Sequence, residues 1–401
     1  MRLSSAIVTY GERFQHVVEI ELEHGTVHTK WAKNAPVSEP LPIAVPHRVR
    51  SLGFEIVGTG HYVPGKPVSN ADLARVMDTS DEWIFQRSGI RQRHFAPEGV
   101  GASDLGAEAA RRALEAARVS PGEVDYVLFA TMTPDYVFPG SGALLAAKLG
   151  LDGVPSLDLR QQCAAMLFGL QLVDGLIKSG AAKTILFVGA EAHAGFMPWE
   201  DWDALDADSQ REVTPEARAR ATAHRNLAVL FGDGAGALVF RATDRDAGLC
   251  GIDLHTDGRY AKLLHVPGGG FRTRPYWKVE MLEAQEHVPR MDGRELFKFA
   301  VTRLPRSARA LLEKTGTRPE SIDWFLAHQA NSRINDHIRD ELGVPPAKMP
   351  SNIDRFGNTS AATLPILIDE MTRGGSLKRG DLTMMLALGA GLHWGSALVR
   401  W

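Results

Sequence analysis

Cysteine is almost missing from this 401-residue chain, with only Cys163 and Cys250 present. Two thiols cannot build a disulfide framework, so a reducing, cytoplasmic setting is expected. Long apolar runs are missing too. None approaches the roughly 18 residues that cross a bilayer, and Met1 to Arg50 lacks the basic start and apolar core of a signal peptide. No membrane partner is expected. Excess positive charge is also absent: the net charge of −3 argues against a general nucleic-acid binder. It still allows a local basic patch for a phosphorylated cofactor or an acidic partner. Fourteen histidines show neither His-Glu-x-x-His nor Cys-x-x-Cys spacing, so no metal site is expected. Gly58-Thr59-Gly60 is followed by Pro64 and Pro67 before any helix, which disfavours a dinucleotide loop. Gly232-Asp233-Gly234-Ala235-Gly236 lacks a P-loop lysine and suits a tight backbone crossing.

What is present is an alternating α/β pattern of ordinary globular composition, 44% hydrophobic and 23% charged. Residues 1–50 stand apart. Ala6 to Trp31 alternates like strands with a hairpin turn near Gly25, and Pro36, Pro40, Pro42 and Pro46 form a stiff linker. This segment is expected to be an appended piece, or a start-site artefact, without catalytic content. Beyond it the chain repeats itself. Ala110 to Glu115, Pro121 and Val124 to Leu128 return 198 positions later as Ala308 to Glu313, Pro319 and Ile322 to Leu326. Ile185 to Ala190 has a second echo in Met385 to Ala390. Each copy reads as a helix, a turn and a strand buried on both faces. Two copies imply a duplicated α/β unit, not a solenoid. The expected division is 51–230 and 231–401, with a pseudo-twofold axis bringing matching strand-to-helix junctions into one cleft.

Three segments carry chemistry at such junctions. Cys163 follows the apolar strand Val154 to Leu159 and opens a helical stretch, where free N–H groups favour a thiolate and can receive an oxyanion. Taken alone, a buried apolar cysteine is the commoner case. His328 ends the strand-like Trp324 to Ala327, the edge at which open α/β sheets place reactive groups. Asn358, in Phe356-Gly357-Asn358-Thr359, taken alone suits a turn and an N-cap. Together the three offer a soft nucleophile and two neutral donors, a set suited to holding an acyl thioester and stabilising an enolate.

With Gln161-Gln162-Cys163-Ala164-Ala165, Ala327-His328-Gln329-Ala330-Asn331 and Phe356-Gly357-Asn358-Thr359-Ser360-Ala361-Ala362 in hand, the chain from about Gly53 to Trp401 resembles the β-ketoacyl-acyl-carrier-protein synthase III family. Thr79 to Ile84, Arg87 to Ile90, Phe231 to Ala237 and Trp394 to Trp401 extend the likeness. The resemblance implies a thiolase fold, duplicated halves in five α-β-α-β-α layers, generally as a homodimer. It implies an acyltransferase that starts fatty-acid synthesis without a tightly bound cofactor. An acyl-CoA would acylate Cys163. Malonyl-acyl-carrier protein would then lose carbon dioxide beside His328 and Asn358, and the carbanion would attack the thioester. Backbone N–H groups of Cys163 and Ala390 would form the oxyanion hole. Trp83 resembles the family's adenine-stacking aromatic and Arg225 its opposing arginine. Asn331 and Arg333 match positions along the phosphopantetheine arm, and Lys298 and Arg333 match positions facing the carrier protein. Phe138 resembles the residue that reaches across the dimer to bound the acyl pocket.

The chain departs from the family pattern in places. Ala165-Met166-Leu167 replaces the usual glycine pair after the nucleophile, and Ala390 interrupts a glycine-rich stretch. Asp340 and Glu341 stand where some members are basic, and segments 196–223 and 271–289 are long. Both long segments are expected to shape the mouth of the site. Two alternatives stay open: a secondary-metabolism relative handling larger acyl groups, and a non-catalytic scaffold subunit.

Overall fold

A computed structural model describes the chain from Leu52 to Trp401, together with the backbone of three earlier strands. Met1–Arg50 and Ser51–Trp401 are separate compact units. In the first, Ala6–Thr9, Gln15–Glu23 and Thr26–Ala32 form an antiparallel sheet in chain order. The second and third strands pair antiparallel, and the turn expected near Gly25 lies outside the described residues. The proline-rich stretch lies outside the described residues.

The larger unit holds two main sheets. One has five strands in the order Gly53–Tyr62, Gly234–Thr243, Thr184–Glu191, Tyr126–Ala130, Ser156–Leu159. The other has four, in the order Gly248–Thr256, His393–Arg400, Leu382–Gly389, Trp324–Ala327. The sequence echo is structural. Tyr126–Ala130 corresponds to Trp324–Ala327, Thr184–Glu191 to Leu382–Gly389, and helix Ala165–Lys178 to helix Thr363–Arg373. One expected boundary moves. Gly234–Thr243 is hydrogen-bonded inside the first sheet, between Gly53–Tyr62 and Thr184–Glu191. The halves therefore meet between Thr243 and Gly248 and not at residue 231, because strand pairing ignores the sequence position of the repeat.

Helices Ala165–Lys178 and Thr363–Arg373 lie between the sheets and pack on strands of both. Apolar residues run almost all round them, as a helix covered on both sides requires. Helix Ala102–Ala117 covers the outer face of the first sheet, and Gly293–Thr315 that of the second. The result is five layers, α-β-α-β-α. Alanines and glycines make the outer contact close: a methyl at Gly60 would meet backbone atoms of Ala109 and Ala113 at 2.5 Å. The long outer helix is delimited by Asp292, whose side chain accepts from the Glu295 N–H, and by Gly316 in the left-handed region.

Candidate active site

Each central helix is entered through a tight turn, Gln162–Ala164 in one half and Ser360–Ala362 in the other, and the two turns pack together. Gln162 (φ 52°) and Ser360 (φ 46°) occupy matching positions of the repeat, both left-handed without being glycine. Such conformations cost on the order of 1–3 kcal/mol each. Here the strain sits beside the reactive thiol. Cys163 follows Gln162, and its Sγ lies 3.3 Å from Ser360 Oγ. His328 leaves the end of strand Trp324–Ala327, with its N–H held by Leu386 O at 2.8 Å. Its Nδ1 lies 2.6 Å from Thr363 Oγ1. Asn358 is fixed by backbone bonds to Leu230 and Gly232, and its side-chain oxygen accepts from the Ser360 N–H at 2.9 Å. That bond leaves the amide NH2 for the cavity.

The structure brings together what the motifs separate. Cys163, His328, Asn358, Asn331 and Ala390 all line one cavity of about 140 Å³. Most of its remaining wall is apolar, including Phe231, Leu296, Phe297, Ala300 and Leu304. The end of strand Leu382–Gly389 presses on the turn that carries Cys163: a methyl at Gly389 would meet Cys163 N at 3.0 Å. Cys163 and Ala390, the residues expected to supply the oxyanion hole, thus both border this one cavity.

Electrostatics corrects one expectation. The thiol is not held as a thiolate. Burial pushes Cys163 up to about 12; the Ser360 hydrogen bond opposes this, while the charge of Glu191 adds to it. Removal from water thus acts against the thiolate that a helix start favours. His328 is driven down to about 3 by burial, so its ring is neutral near pH 7. A neutral ring and a carboxamide can steady a developing oxyanion without carrying charge into an apolar chamber.

Trp83 lies outside the cavity wall, with the guanidiniums of Arg225 at 4.6 Å and Arg87 at 4.3 Å from its ring centre. Trp83 and Arg225 are thus in contact with each other, and Arg87 joins them, a neighbour the motifs did not suggest. Arg225 is also tied to the Asp78 carbonyl at 2.7 Å. Asn331 lines the cavity but caps helix Ser332–Leu342: its oxygen accepts from Arg333 N–H and its nitrogen donates to Arg87 O. Arg333 is exposed, 6.0 Å from the Phe297 ring, and exposed Lys298 pairs with Glu295. Phe138 is 79% exposed and absent from the cavity wall of its own chain. Asp340 and Glu341 are paired with Arg339 and Arg309.

The long segments are ordered. In 196–223, buried Trp199 packs edge-on against Phe95 and Trp202. Segment 271–289 is flanked by the paired strands Leu264–His265 and Arg290–Met291, whose Leu264 and Met291 are cavity walls. Gln285 donates to Pro198 O at 3.4 Å, joining the two segments. Three residues near the site escaped sequence reasoning. Ser360 touches the thiol and Thr363 the imidazole. Fully buried Glu191 accepts from Thr131, Thr133 and the N–H groups of Met132 and Ala361, bracing the loop against the second turn. Only the place of Ser360 within the Asn358 motif, and of Thr363 directly after it, hints at their position.

Comparisons with known proteins agree with this geometry. Residues 312–401 match the model described as 3-oxoacyl-[acyl-carrier-protein] synthase III C terminal, and 213–258 match 3-oxoacyl-[acyl-carrier-protein] synthase III. Residues 85–197 match the thiolase N-terminal domain. The chain is 39% identical over 347 residues to the β-ketoacyl-[acyl-carrier-protein] synthase III of Rhizorhabdus wittichii, covering 86% of this chain and 98% of the relative. The crystal structure of 3-oxoacyl-[acyl-carrier-protein] synthase III from Aquifex aeolicus is 36% identical with TM-score 0.74, covering 87% of this chain and 100% of that one. The priming β-ketosynthase of the R1128 polyketide biosynthetic pathway is 30% identical with TM-score 0.73, covering 88% and 99%.

Proposed function

The chain belongs to the β-ketoacyl-[acyl-carrier-protein] synthase III family, and from that premise we propose that its cavity performs the initiating condensation of fatty-acid synthesis at Cys163, His328 and Asn358. The observation that carries the assignment is the single apolar chamber onto which a thiol, a neutral imidazole and an oriented carboxamide all open.

In the first half-reaction Cys163 sulfur bonds to the acyl carbon of an acyl-CoA. The carbon–sulfur bond to CoA breaks, and CoA leaves with the thiol's proton. In the second, malonyl-acyl-carrier protein loses carbon dioxide. The electron pair of the broken carbon–carbon bond moves onto the thioester oxygen, where the His328 ring and the Asn358 amide donate. The enolate carbon then attacks the acyl carbon, and Cys163 leaves as a thiolate that takes up one proton. A thiol pushed up to about 12 recovers that proton readily. The backbone near Cys163 and Ala390 holds the acyl oxyanion.

Trp83 and Arg225 receive the nucleotide end of CoA, and Asn331 and Arg333 border its arm. Lys298 and Arg333 face the carrier protein as exposed positive charges near the cavity. The substrates are free thioesters, with no tightly bound cofactor, and the enzyme works in the cytoplasm as a homodimer. Support for the dimer is an exposed apolar run, Tyr136, Val137 and Phe138, close in sequence to the edge strand Ser156–Leu159, whose Leu157 is also exposed. Phe138 then closes the acyl pocket of the second copy. No helix among the described residues is long and apolar enough to cross a membrane.

Intact-mass measurement of the protein with competing acyl-CoAs, followed by malonyl-acyl-carrier protein, tests this function. Two- to five-carbon acyl groups are expected to add once and to leave as 3-oxoacyl product. Acylation confined to long or decorated chains would instead place the enzyme with the specialised ketosynthases of secondary metabolism. Replacing Trp83 by alanine removes the stacking face, and about tenfold weaker KM for acyl-CoA is expected with kcat little changed. An unaltered KM would take Trp83 out of the CoA site.

A further inference from the structure

We propose that Thr363 is a positioning residue that fixes the tautomer of His328: its hydroxyl donates to Nδ1, so that the ring's own proton sits on Nε2, toward the cavity. This rests on the enolate role of His328 given above.

Thr363 Oγ1 lies 2.6 Å from His328 Nδ1 and 3.0 Å from the Ser360 carbonyl. The hydroxyl has one proton to give, to Nδ1 or to the Ser360 carbonyl. The Ser360 carbonyl already accepts the backbone N–H of Thr363, which closes the turn. Nδ1 has no partner other than the hydroxyl. Thr363 and His328 are both buried, so this contact is sheltered from water. The reverse arrangement, with Nδ1–H donating to the hydroxyl and the hydroxyl to the Ser360 carbonyl, would use the same contacts. Donation to Nδ1 is assigned because the Ser360 carbonyl already has a donor and because only this tautomer leaves a proton on Nε2 for the developing oxyanion. Burial keeps the ring neutral, which means that a lone pair on Nδ1 requires a proton on Nε2.

The chemistry needs that arrangement. In decarboxylation no proton moves; charge gathers on the thioester oxygen as carbon dioxide departs. An Nε2–H stabilises this oxygen, whereas an Nε2 lone pair repels it. Thr363 is not on the cavity wall, so its influence passes through the imidazole. Its place one residue beyond the Asn358 motif couples the two enolate donors. The same turn positions the Asn358 amide through Ser360 N–H and the His328 ring through Thr363.

Thr363→Val keeps the shape and removes the hydroxyl, while Thr363→Ser keeps the donor. In the valine variant, malonyl-acyl-carrier-protein decarboxylation is expected to fall by about 10–100-fold, the usual effect of losing an outer partner of a functional imidazole. Acylation of Cys163 by acyl-CoA should change by less than about threefold, since this step does not use the enolate donors. The serine variant should recover decarboxylation. Nitrogen-15 spectra of histidine-labelled wild-type protein, assigned with His328→Asn, should show a protonated Nε2 and an unprotonated Nδ1 on this ring. A protonated Nδ1, an unchanged decarboxylation rate in the valine variant, or equal loss of both half-reactions overturns the assignment. Should valine prevent folding, the serine variant and the wild-type spectrum still decide it. The spectrum needs no substrate: failure of every acyl-CoA to acylate wild type would defeat the condensation role and leave the tautomer measurement standing.

Discussion

Cys163→Ala is expected to take up no acyl group at all from radiolabelled acyl-CoA, while still releasing carbon dioxide from malonyl-acyl-carrier protein. The first part follows from chemistry: no other thiol lines the cavity, and Cys250 lies on a different strand, Gly248–Thr256. The second follows from geometry. The His328–Thr363 and Asn358–Ser360 hydrogen bonds do not involve the sulfur, so the enolate donors should survive its removal. Label on the alanine variant equal to that on wild type would end the nucleophile assignment. The buried thiol also sets a pH dependence. A group pushed up to about 12 is less ionised at neutrality than an ordinary thiol near 8.5. Its thiolate fraction grows about tenfold for each pH step until that value is approached. Alkylation of Cys163 by iodoacetamide, followed by peptide mass spectrometry, should therefore keep rising above pH 9. A plateau near pH 7 would mean that the helix terminus prevails over burial.

The second large effect belongs to the enolate donors. His328→Ala and Asn358→Ala should each lower decarboxylation by about 10²–10³, equivalent to roughly 2.7–4 kcal/mol of transition-state stabilisation. Radiolabelled carbon dioxide release measures it directly. Because both side chains are held by the turn Ser360–Ala362 and its neighbour Thr363, the double variant should lose less than the product of the single losses. With the imidazole pKa held near 3 by burial, its protonated form appears only in strong acid. Decarboxylation between pH 5 and 8 should then show no limb from this ring. A break near 6.5 that vanishes in the alanine variant would show an ordinary, solvated histidine in its place.

Much of this molecule is legible in one dimension. The duplication was visible because strands such as Val127–Phe129 and Phe325–Ala327 must be apolar when covered on both faces, and their spacing survives in both copies. The three residues proposed for catalysis stand out for a related reason: each ends a strand or opens a turn beside small residues, and the fold brings all three to one cavity.

Other properties arise only when distant segments meet. Gly234–Thr243 joins the first sheet because hydrogen-bond partners, not sequence halves, define a sheet. Trp83 gains Arg87 from its own helix, but Arg225, 142 positions further along the chain, reaches it while paired with Asp78. The protonation of Cys163 reversed the local expectation, since desolvation depends on everything packed around the sulfur and helix position on only one turn. Ser360, at the nucleophile, and Thr363, at the imidazole, are anonymous hydroxyls in a string of letters. Folding gives them partners 197 and 35 residues away, and hydrogen bonds of about 3 Å depend on position in space, which no local pattern specifies.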